Sequence, residues 1–260
     1  MSGVEKKKSS SAVATVLVFI LLFAFFQYYG YGRILREFNR LYKTIDPSAQ
    51  VPPYSSISGG EIKWVFYDLN DKILTWKMPL DTYRYYVSIT KPVVRLDLGT
   101  SKRSIWAYDM RPYIQPSFFR LVIGTLTDGK SDREFVKAAD NVRSQIVVYG
   151  KGLTQAPYQF PAETLTEGRG KCADTTILLA SMLIEGSRKA GYNFRVFVWY
   201  VQLVEGSLVS DSVSLTETNH AIVQVEFSNG DKWAIETTTN YFSLYLKAFT
   251  GWRFEVTNVA

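Results

Sequence analysis

Residues 168–179 read Gly-Arg-Gly-Lys-Cys-Ala-Asp-Thr-Thr-Ile-Leu-Leu and hold the only cysteine of the 260-residue chain, Cys172. Two glycines interrupt the chain before it and apolar residues follow at helical intervals, which predicts a helix beginning at about Cys172. Gly191 is a typical stop, so the helix should end near Ala190. A helix start offers unpaired N–H groups and the positive end of the helix dipole, which favour the thiolate form of Cys172.

The only histidine, His220, opens a second informative stretch. Residues 220–227 alternate as a strand, the Asn-Gly at 229–230 is a hairpin signal, and residues 232–236 form a return strand that ends at Glu236. An imidazole can take a thiol proton and later protonate a leaving group, while a carboxylate holds the ring in one tautomer. Cys172, His220 and Glu236 are therefore the candidate nucleophile, base and orienting acid.

The register of this hairpin leaves an alternative open. A two-residue turn would pair Val223 with Glu236 and put His220 on the opposite face, so contact requires a bulge or a longer turn. Asn240, nearly opposite His220 in that register, is the other candidate for orienting the imidazole. In the non-catalytic interpretation, Cys172 is a small apolar residue and His220 a satisfied polar group.

Four stretches together resemble the transglutaminase-like superfamily, in a membrane-anchored prokaryotic or archaeal form. They are residues 161–165 (Pro-Ala-Glu-Thr-Leu), 168–174, 219–225 (Asn-His-Ala-Ile-Val-Gln-Val) and 232–238. The resemblance implies an α+β, papain-like core in which the helix bearing the cysteine packs on an antiparallel sheet. It also implies a Cys172-His220-Glu236 triad.

The resemblance gives the residues around the nucleophile roles as well. It implies that Asp174 supports the loop before the helix rather than reacting, and that Gly170 and Lys171 belong to that loop. Prokaryotic members commonly read Gly-x-Gly-Asp-Cys-x-Asp there, so Lys171 replaces an acid and makes the site more electropositive. Glu236 stands where aspartate is usual, which lengthens the reach to His220 by one methylene.

Composition divides the chain into five predicted segments. Residues 12–30 contain no charged side chain, and eighteen of them span about 27 Å as a helix, so they predict a transmembrane anchor in contact with membrane lipid. The predicted segments are a basic tail at 1–11, the anchor at 12–30, a juxtamembrane helix and linker at 31–60, a β-rich lead-in at 61–112 and the transglutaminase-like domain at 113–260. This organisation predicts a single-pass membrane protein whose soluble domain lies outside the cytoplasm.

Charge and motif content argue against several functional classes. Residues 46–260 carry 23 basic and 22 acidic side chains, so the excess charge of +6 belongs mainly to the N-terminal part and no nucleic-acid partner is expected. One cysteine and one histidine are too few soft ligands for a zinc site. No nucleotide-binding fingerprint is present, so no cofactor is expected.

The sequence therefore predicts a membrane-anchored, cysteine-dependent acyl-transfer enzyme that acts on protein or peptide. It does not separate a protease or amide hydrolase from a transamidase, because both pass through a thioester on the enzyme. The alternative prediction is a catalytically inactive transglutaminase-like domain that serves as a surface binding or scaffold module.

Overall fold

The computed structural model describes residues 53–99, 105–150, 156–201, 203–204, 207–208, 220–238 and 251–259. This part of the chain is α+β with mainly antiparallel sheets. The helices are α1 (Leu80–Ser88), α2 (Gly124–Thr127), α3 (Asp132–Ile146), α4 (Pro161–Glu167) and α5 (Cys172–Ala190), with 3-10 turns at Arg111–Tyr113 and Pro116–Phe119. The strands are β1 (Tyr54–Ser58), β2 (Glu61–Tyr67), β3 (Ile73–Pro79), β4 (Arg95–Asp97), β5 (Trp106–Tyr108), β6 (Val148–Tyr149), β7 (Arg169–Gly170), β8 (Phe194–Val201), β9 (Leu203–Val204), β10 (Ser207–Leu208), β11 (His220–Phe227), β12 (Lys232–Ile235) and β13 (Gly251–Glu255).

The main sheet has four antiparallel strands in the order β12-β11-β8-β13. In its central strands every second side chain is apolar and points into the core, as expected for strands with one face in the core. The inner residues of the two central strands are Phe194, Val196, Val198, Tyr200, Ala221, Val223, Val225 and Phe227. This face packs against α5, so the cysteine-bearing helix lies on an antiparallel sheet.

Helix α5 is the centre of the fold. Every residue from 173 to 186 is buried, because the sheet covers one side and α2, α3, α4 and the turn at Pro116–Phe119 cover the others. The helix ends where the sequence predicted, since Gly191 takes the left-handed conformation with φ 69° and the N–H of Gly191 bonds to the carbonyl of Ser187.

Helix α3 begins with the capping box that its sequence predicts. The Ser131 hydroxyl accepts from the N–H of Glu134, and the Glu134 carboxylate accepts from the N–H of Ser131. Two N–H groups at the helix start are thereby satisfied. Ser131 with Glu134 three residues later predicts a helix over about 132–148, and the helix runs from Asp132 to Ile146.

The segment before this core contains an antiparallel meander, β1-β2-β3. Its first strand starts at Tyr54, inside the expected linker at 31–60, and the Gly59-Gly60 pair forms the β1–β2 turn with positive φ at both residues. The lead-in also contains a helix, α1, which the strand-rich prediction for 61–112 did not include. Residues 31–52 lie outside the described residues.

The expected transmembrane helix and single-pass membrane location are corrected. Among the described residues, no helix is both long and apolar enough to cross a membrane. The 19-residue helix α5 contains four charged residues, Asp174, Glu185, Arg188 and Lys189, and its apolar side chains are used in the protein core. Residues 12–30, on which the expectation rested, lie outside the described residues, as does the basic tail.

Candidate functional site

The loop that delivers Cys172 is held by backbone pairing and by tight packing. Gly168 caps α4 in the left-handed conformation at φ 64°, and the following strand β7 pairs in parallel with β6. A Cβ at Gly170 would lie 3.0 Å from both the Cβ of Asp174 and the Cγ2 of Thr164, so a larger residue would displace this loop. Cys172 is then the first residue of α5 and is partly buried.

Asp174 ties the loop together from inside the helix. One carboxylate oxygen, Oδ1, accepts the N–H of Gln159 at 2.8 Å, and Oδ2 accepts the N–H of Lys171 at 2.8 Å. Burial raises the pKa of Asp174, and the two backbone N–H groups act in the opposite direction. Its contacts are those of a loop support, the role that the family resemblance implies, while the side chain of Lys171 is exposed.

The hairpin that carries His220 and Glu236 has a three-residue loop, not the two-residue turn considered in the sequence. Phe227 lies opposite Asp231, and residues 228–230 form the loop, with Gly230 at φ 89°. The ladder then pairs Val223 with Ile235, so Glu236 follows at the level of Ile222. Because side chains alternate along a strand, this shift of one residue brings Glu236 to the same side of the hairpin as His220.

His220 and Glu236 are in direct contact. The distance from Nε2 of His220 to Oε2 of Glu236 is 2.7 Å, and the His220 side chain is 10% exposed. The other carboxylate oxygen, Oε1, accepts the N–H of Thr238 at 2.9 Å and its hydroxyl at 2.7 Å. Both oxygens of Glu236 are engaged, so the carboxylate is fixed in the orientation that serves the imidazole.

The electrostatics of the pair favour a charged imidazole. Burial alone lowers the pKa of His220, but hydrogen bonds to Cys172 and Glu236 and their negative charges outweigh it and raise the pKa to about 9. Burial acts to raise the pKa of Glu236, and its bonds to His220 and Thr238 lower it overall. Since Nε2 is used by Glu236, the ring nitrogen left for Cys172 is Nδ1.

Thr237 connects the acid-bearing strand to the first turn of α5. Its hydroxyl accepts from the Thr175 hydroxyl at 3.0 Å, lies 3.2 Å from the Thr176 hydroxyl and donates to the carbonyl oxygen of Cys172 at 3.3 Å. Thr237 is only 1% exposed. Thr237, the residue between Glu236 and Thr238, is therefore hydrogen-bonded directly to the backbone of Cys172, the candidate nucleophile.

A buried ion pair on α3 holds the same segment from the other side. Arg143 Nη1 donates to the carbonyl oxygen of Thr237 at 2.5 Å, while its Nε and Nη2 donate to Asp140 Oδ1 at 2.9 and 2.6 Å. The side chains of Arg143 and Asp140 are 2% and 8% exposed. Because this buried guanidinium donates one hydrogen bond to the Thr237 carbonyl oxygen, it fixes the position of that carbonyl.

The structure brings most of the predicted site residues together. Cys172, His220 and Glu236 form a connected group, and Gly170 and Asp174 shape the loop beside it. Asn240, the alternative orienting group, lies outside the described residues. Sequence reasoning missed Thr237 and Arg143: the first was inside a quoted stretch without a role, and the second is a charged helix residue that gives no sign of burial.

Within the described ranges, no group of three or more His, Cys, Asp and Glu side chains is placed to hold a metal ion. The first N–H groups of α5 beside Cys172 are the natural donors for an oxyanion, because helix-start N–H groups have no intrahelical acceptor. The arrangement can therefore hold an imidazolium next to Cys172 and offer donors to a carbonyl oxygen.

Comparison with known proteins adds little to this geometry. No protein-family model matches the chain, and no curated protein sequence matches it. The chain is similar to the crystal structure of a protein from Parabacteroides distasonis described as a candidate protease, with a TM-score of 0.29 and 13% sequence identity. The match covers 72% of this chain and 35% of that protein, so the chain spans about a third of its length. A similarity this low does not define a shared fold or activity.

Proposed function

We propose that the protein is a cysteine-dependent acyl-transfer enzyme of the transglutaminase-like type that acts on amide bonds of protein or peptide. The observation that carries the proposal is the connected group in which Glu236 holds Nε2 of His220 at 2.7 Å while Cys172 is the partner of the imidazole's other side. A carboxylate, an imidazole and a thiol in that order are the elements of a thiol nucleophile site.

The first chemical step follows from the charges. The thiolate Sγ of Cys172 attacks the carbonyl carbon of an amide, and N–H groups at the start of α5 stabilise the oxygen that becomes negative. The imidazolium of His220 then gives its proton to the amide nitrogen, and the C–N bond breaks. The products are a free amine and a thioester on Cys172, with His220 neutral and bonded to Glu236.

The second step regenerates the thiolate. His220 takes a proton from an incoming water or amine, which attacks the thioester carbonyl, and the C–S bond breaks. Water gives a carboxylic acid, which is hydrolysis, and an amine gives a new amide, which is transamidation. A hydrolase acting on protein or peptide is the form we propose, with transamidation as the variant of the same chemistry.

The proposal is tested on the full chain through the single cysteine. Alkylation of Cys172 by iodoacetamide, followed by intact mass at pH 5–9, should be fast well below the value of about 8.5 at which a free thiol ionises. His220→Gln should slow the reaction at pH 6 by about tenfold or more, while Glu236→Gln should have a smaller effect in the same direction.

Turnover is then measured with labelled casein for hydrolysis and with a fluorescent primary amine for incorporation into casein. Cys172→Ala is the matched inactive control for both assays. A thiol that reacts slowly at pH 6 and is indifferent to His220→Gln would contradict the proposal and favour the binding or scaffold module.

A further inference from the structure

Beside the nucleophile lies an exposed surface with a distinct composition, which we call the β6–β7 surface. It consists of Val148, Arg169 and Lys171, which share one side of the β6–β7 pair, while Tyr149 lies on the other side. Val148 and Tyr149 are 50% and 59% exposed, although they are apolar or aromatic, and both cations are exposed. Exposed apolar side chains that adjoin a site are a common sign of a binding surface.

The side chains of Arg169 and Lys171 point to the same side of the chain. Arg169 lies in β7, and Lys171 keeps an extended backbone at φ −77° and ψ 175°. Residues two apart in an extended chain point to the same side, while Gly170 between them faces Asp174 and Thr164. Arg169 is paired with Val148, so that apolar side chain adjoins the cations.

Lys171 connects this surface to the reacting group, because it immediately precedes Cys172, the first residue of α5. Tyr149 is paired with Gly170 and so points to the other side of the β6–β7 pair. Burial and then the negative charges of Cys172 and Glu236 raise the pKa of Tyr149. A ligand bound at Lys171 would therefore lie next to the residue that carries the thiol.

The nearby carboxylates each have other hydrogen-bond or ion-pair partners, although the charge of Lys171 also acts on Asp174, and Glu167 accepts from the Gln159 side chain. Asp174 accepts two backbone N–H groups, Glu163 pairs with Lys91, and Glu236 holds His220. In the part of the chain that the structure describes, neither Arg169 nor Lys171 takes part in an ion pair. Their positive charge is thus directed to solvent at the edge of the site.

We propose that the β6–β7 surface binds an acidic stretch of a polypeptide substrate that also carries apolar side chains, and so presents its amide to Cys172. The inference rests on the proposed function and specifies its substrate class. Cations attract the carboxylates, and Val148 covers an apolar side chain next to them. A nucleic acid fits less well, because the chain from residue 46 onward is almost neutral and two cations provide little attraction for a phosphate backbone.

The charge of the surface is tested by comparing two alkylating reagents of similar size, anionic iodoacetate and neutral iodoacetamide. In the full chain the ratio of their rates at Cys172, divided by the ratio for neutral N-acetylcysteinamide, should exceed one. Arg169→Glu and Lys171→Glu should each lower the ratio about threefold, and together about tenfold, because each reverses a charge within about one Debye length of the thiol.

Lys130→Glu is the matched control for charge. The carbonyl of Lys130 bonds to the hydroxyl of Tyr192, just beyond the far end of α5, so it is separated from Cys172 by the length of a 19-residue helix. That is about 27 Å, several Debye lengths, and the ratio should not change. A ratio that falls equally in all three variants, or in none, would overturn the proposal.

Recognition is tested by protection of Cys172 from iodoacetamide. The peptide acetyl-Glu-Leu-Glu-Leu-amide should slow alkylation at low salt, its Gln-Leu-Gln-Leu counterpart should do so at least fivefold less well, and the Arg169→Glu/Lys171→Glu variant should lose the difference. Equal protection by both peptides, or protection only by a single-stranded oligonucleotide, would overturn the proposal.

The two proposals fail separately. A Cys172 that reacts rapidly with iodoacetamide in a His220-dependent way, but without charge preference, leaves the thiol chemistry standing and removes only the acidic substrate. A Cys172 that is slow and indifferent to His220 removes the proposed function itself.

Discussion

The hydroxyl of Thr237 donates to the carbonyl oxygen of Cys172 at 3.3 Å, across the junction between the main sheet and helix α5. This bond joins the residue that follows the orienting acid to the residue that carries the thiol. The distance between imidazole and thiol therefore depends on a group that touches neither of them. We therefore expect Thr237 to act as a positioning residue.

Replacing Thr237 by Val should remove the hydrogen bond between the segment that carries Glu236 and the helix that carries Cys172, with little change in the shape of the side chain. The hydroxyl is lost, and the alkylation rate of Cys172 at pH 6–7 should fall about tenfold or more, since small misplacements of reacting groups are costly. The free energy of unfolding should fall by only about 1–3 kcal/mol. Thr237→Ser should restore the rate, and a Thr237→Val chain that alkylates as fast as the wild type would exclude a positioning role.

His220 should titrate far from the usual value for histidine. Because it is the only histidine, its Cε1–H proton gives a single resolved NMR signal, which should shift with a midpoint near pH 9 in the folded chain. In urea the midpoint should return to about 6.5. In Glu236→Gln the midpoint should lie lower than in the wild type, because the neutral amide no longer stabilises the imidazolium.

The sign of the accompanying effect on stability is fixed by the direction of this shift. The folded chain keeps a proton on His220 between about pH 6.5 and pH 9, where the unfolded chain has lost it, so this proton stabilises the fold fully below 6.5 and the contribution is lost as the pH rises through 9. The same titration in Cys172→Ser separates the effect of the Cys172 contact on His220 from that of Glu236. A midpoint near 6.5 in the folded chain would contradict the described contacts.

Removing the buried cation of α3 should be one of the most damaging single changes. Arg143→Met leaves Asp140 buried without its partner and frees the Thr237 carbonyl, so urea unfolding should show a loss of roughly 3–5 kcal/mol. Arg84→Met, which breaks an exposed pair with Asp81, is the matched control and should cost less than about 1 kcal/mol. Similar losses in the free energy of unfolding for the two variants would show that the buried pair contributes no more to stability than the exposed pair.

A single methyl group added at Gly186, in the C-terminal part of α5, should test how closely this helix packs against α3. A Cβ at Gly186 would lie 2.0 Å from the Cζ of Phe135, so Gly186→Ala should destabilise the fold by about 1–3 kcal/mol despite the better helix propensity of alanine. Adding Phe135→Leu should recover part of the loss. Gly150→Ala meets no atom within 4 Å and should be close to neutral; a neutral Gly186→Ala would show that α3 and α5 are not packed this closely.

The parts of the fold that local chemistry determines could be predicted from the sequence. The limits of α5 follow from the glycines that flank it, and the start of α3 follows from the Ser131–Glu134 capping box. The pair of His220 and Glu236 could be named as candidates because the chain has a single histidine and the acid follows one hairpin later. Their chemical role stays a prediction until Cys172 is tested.

Other features depend on long-range packing that the sequence does not display. The sequence left a two-residue and a longer turn open, and the loop has three residues, because an Asn-Gly pair also fits a three-residue loop with glycine at its last position. Arg143 lies on an amphipathic helix where a cation usually faces solvent, and only the tertiary structure shows that it bonds to the Thr237 carbonyl. Helix α1 was missed because its many aromatic residues favour strands as much as helices.

The three-residue loop at 228–230 makes the hairpin sensitive to insertions and deletions. The loop lies at the end of β11 opposite His220, about 23 Å along the strand. Loss or gain of one residue there would turn Glu236 away from His220 while every residue of the candidate site stayed unchanged. Surface loops usually tolerate such length changes, but in this chain the length of a distant turn is as much a requirement of the site as the identity of its acid.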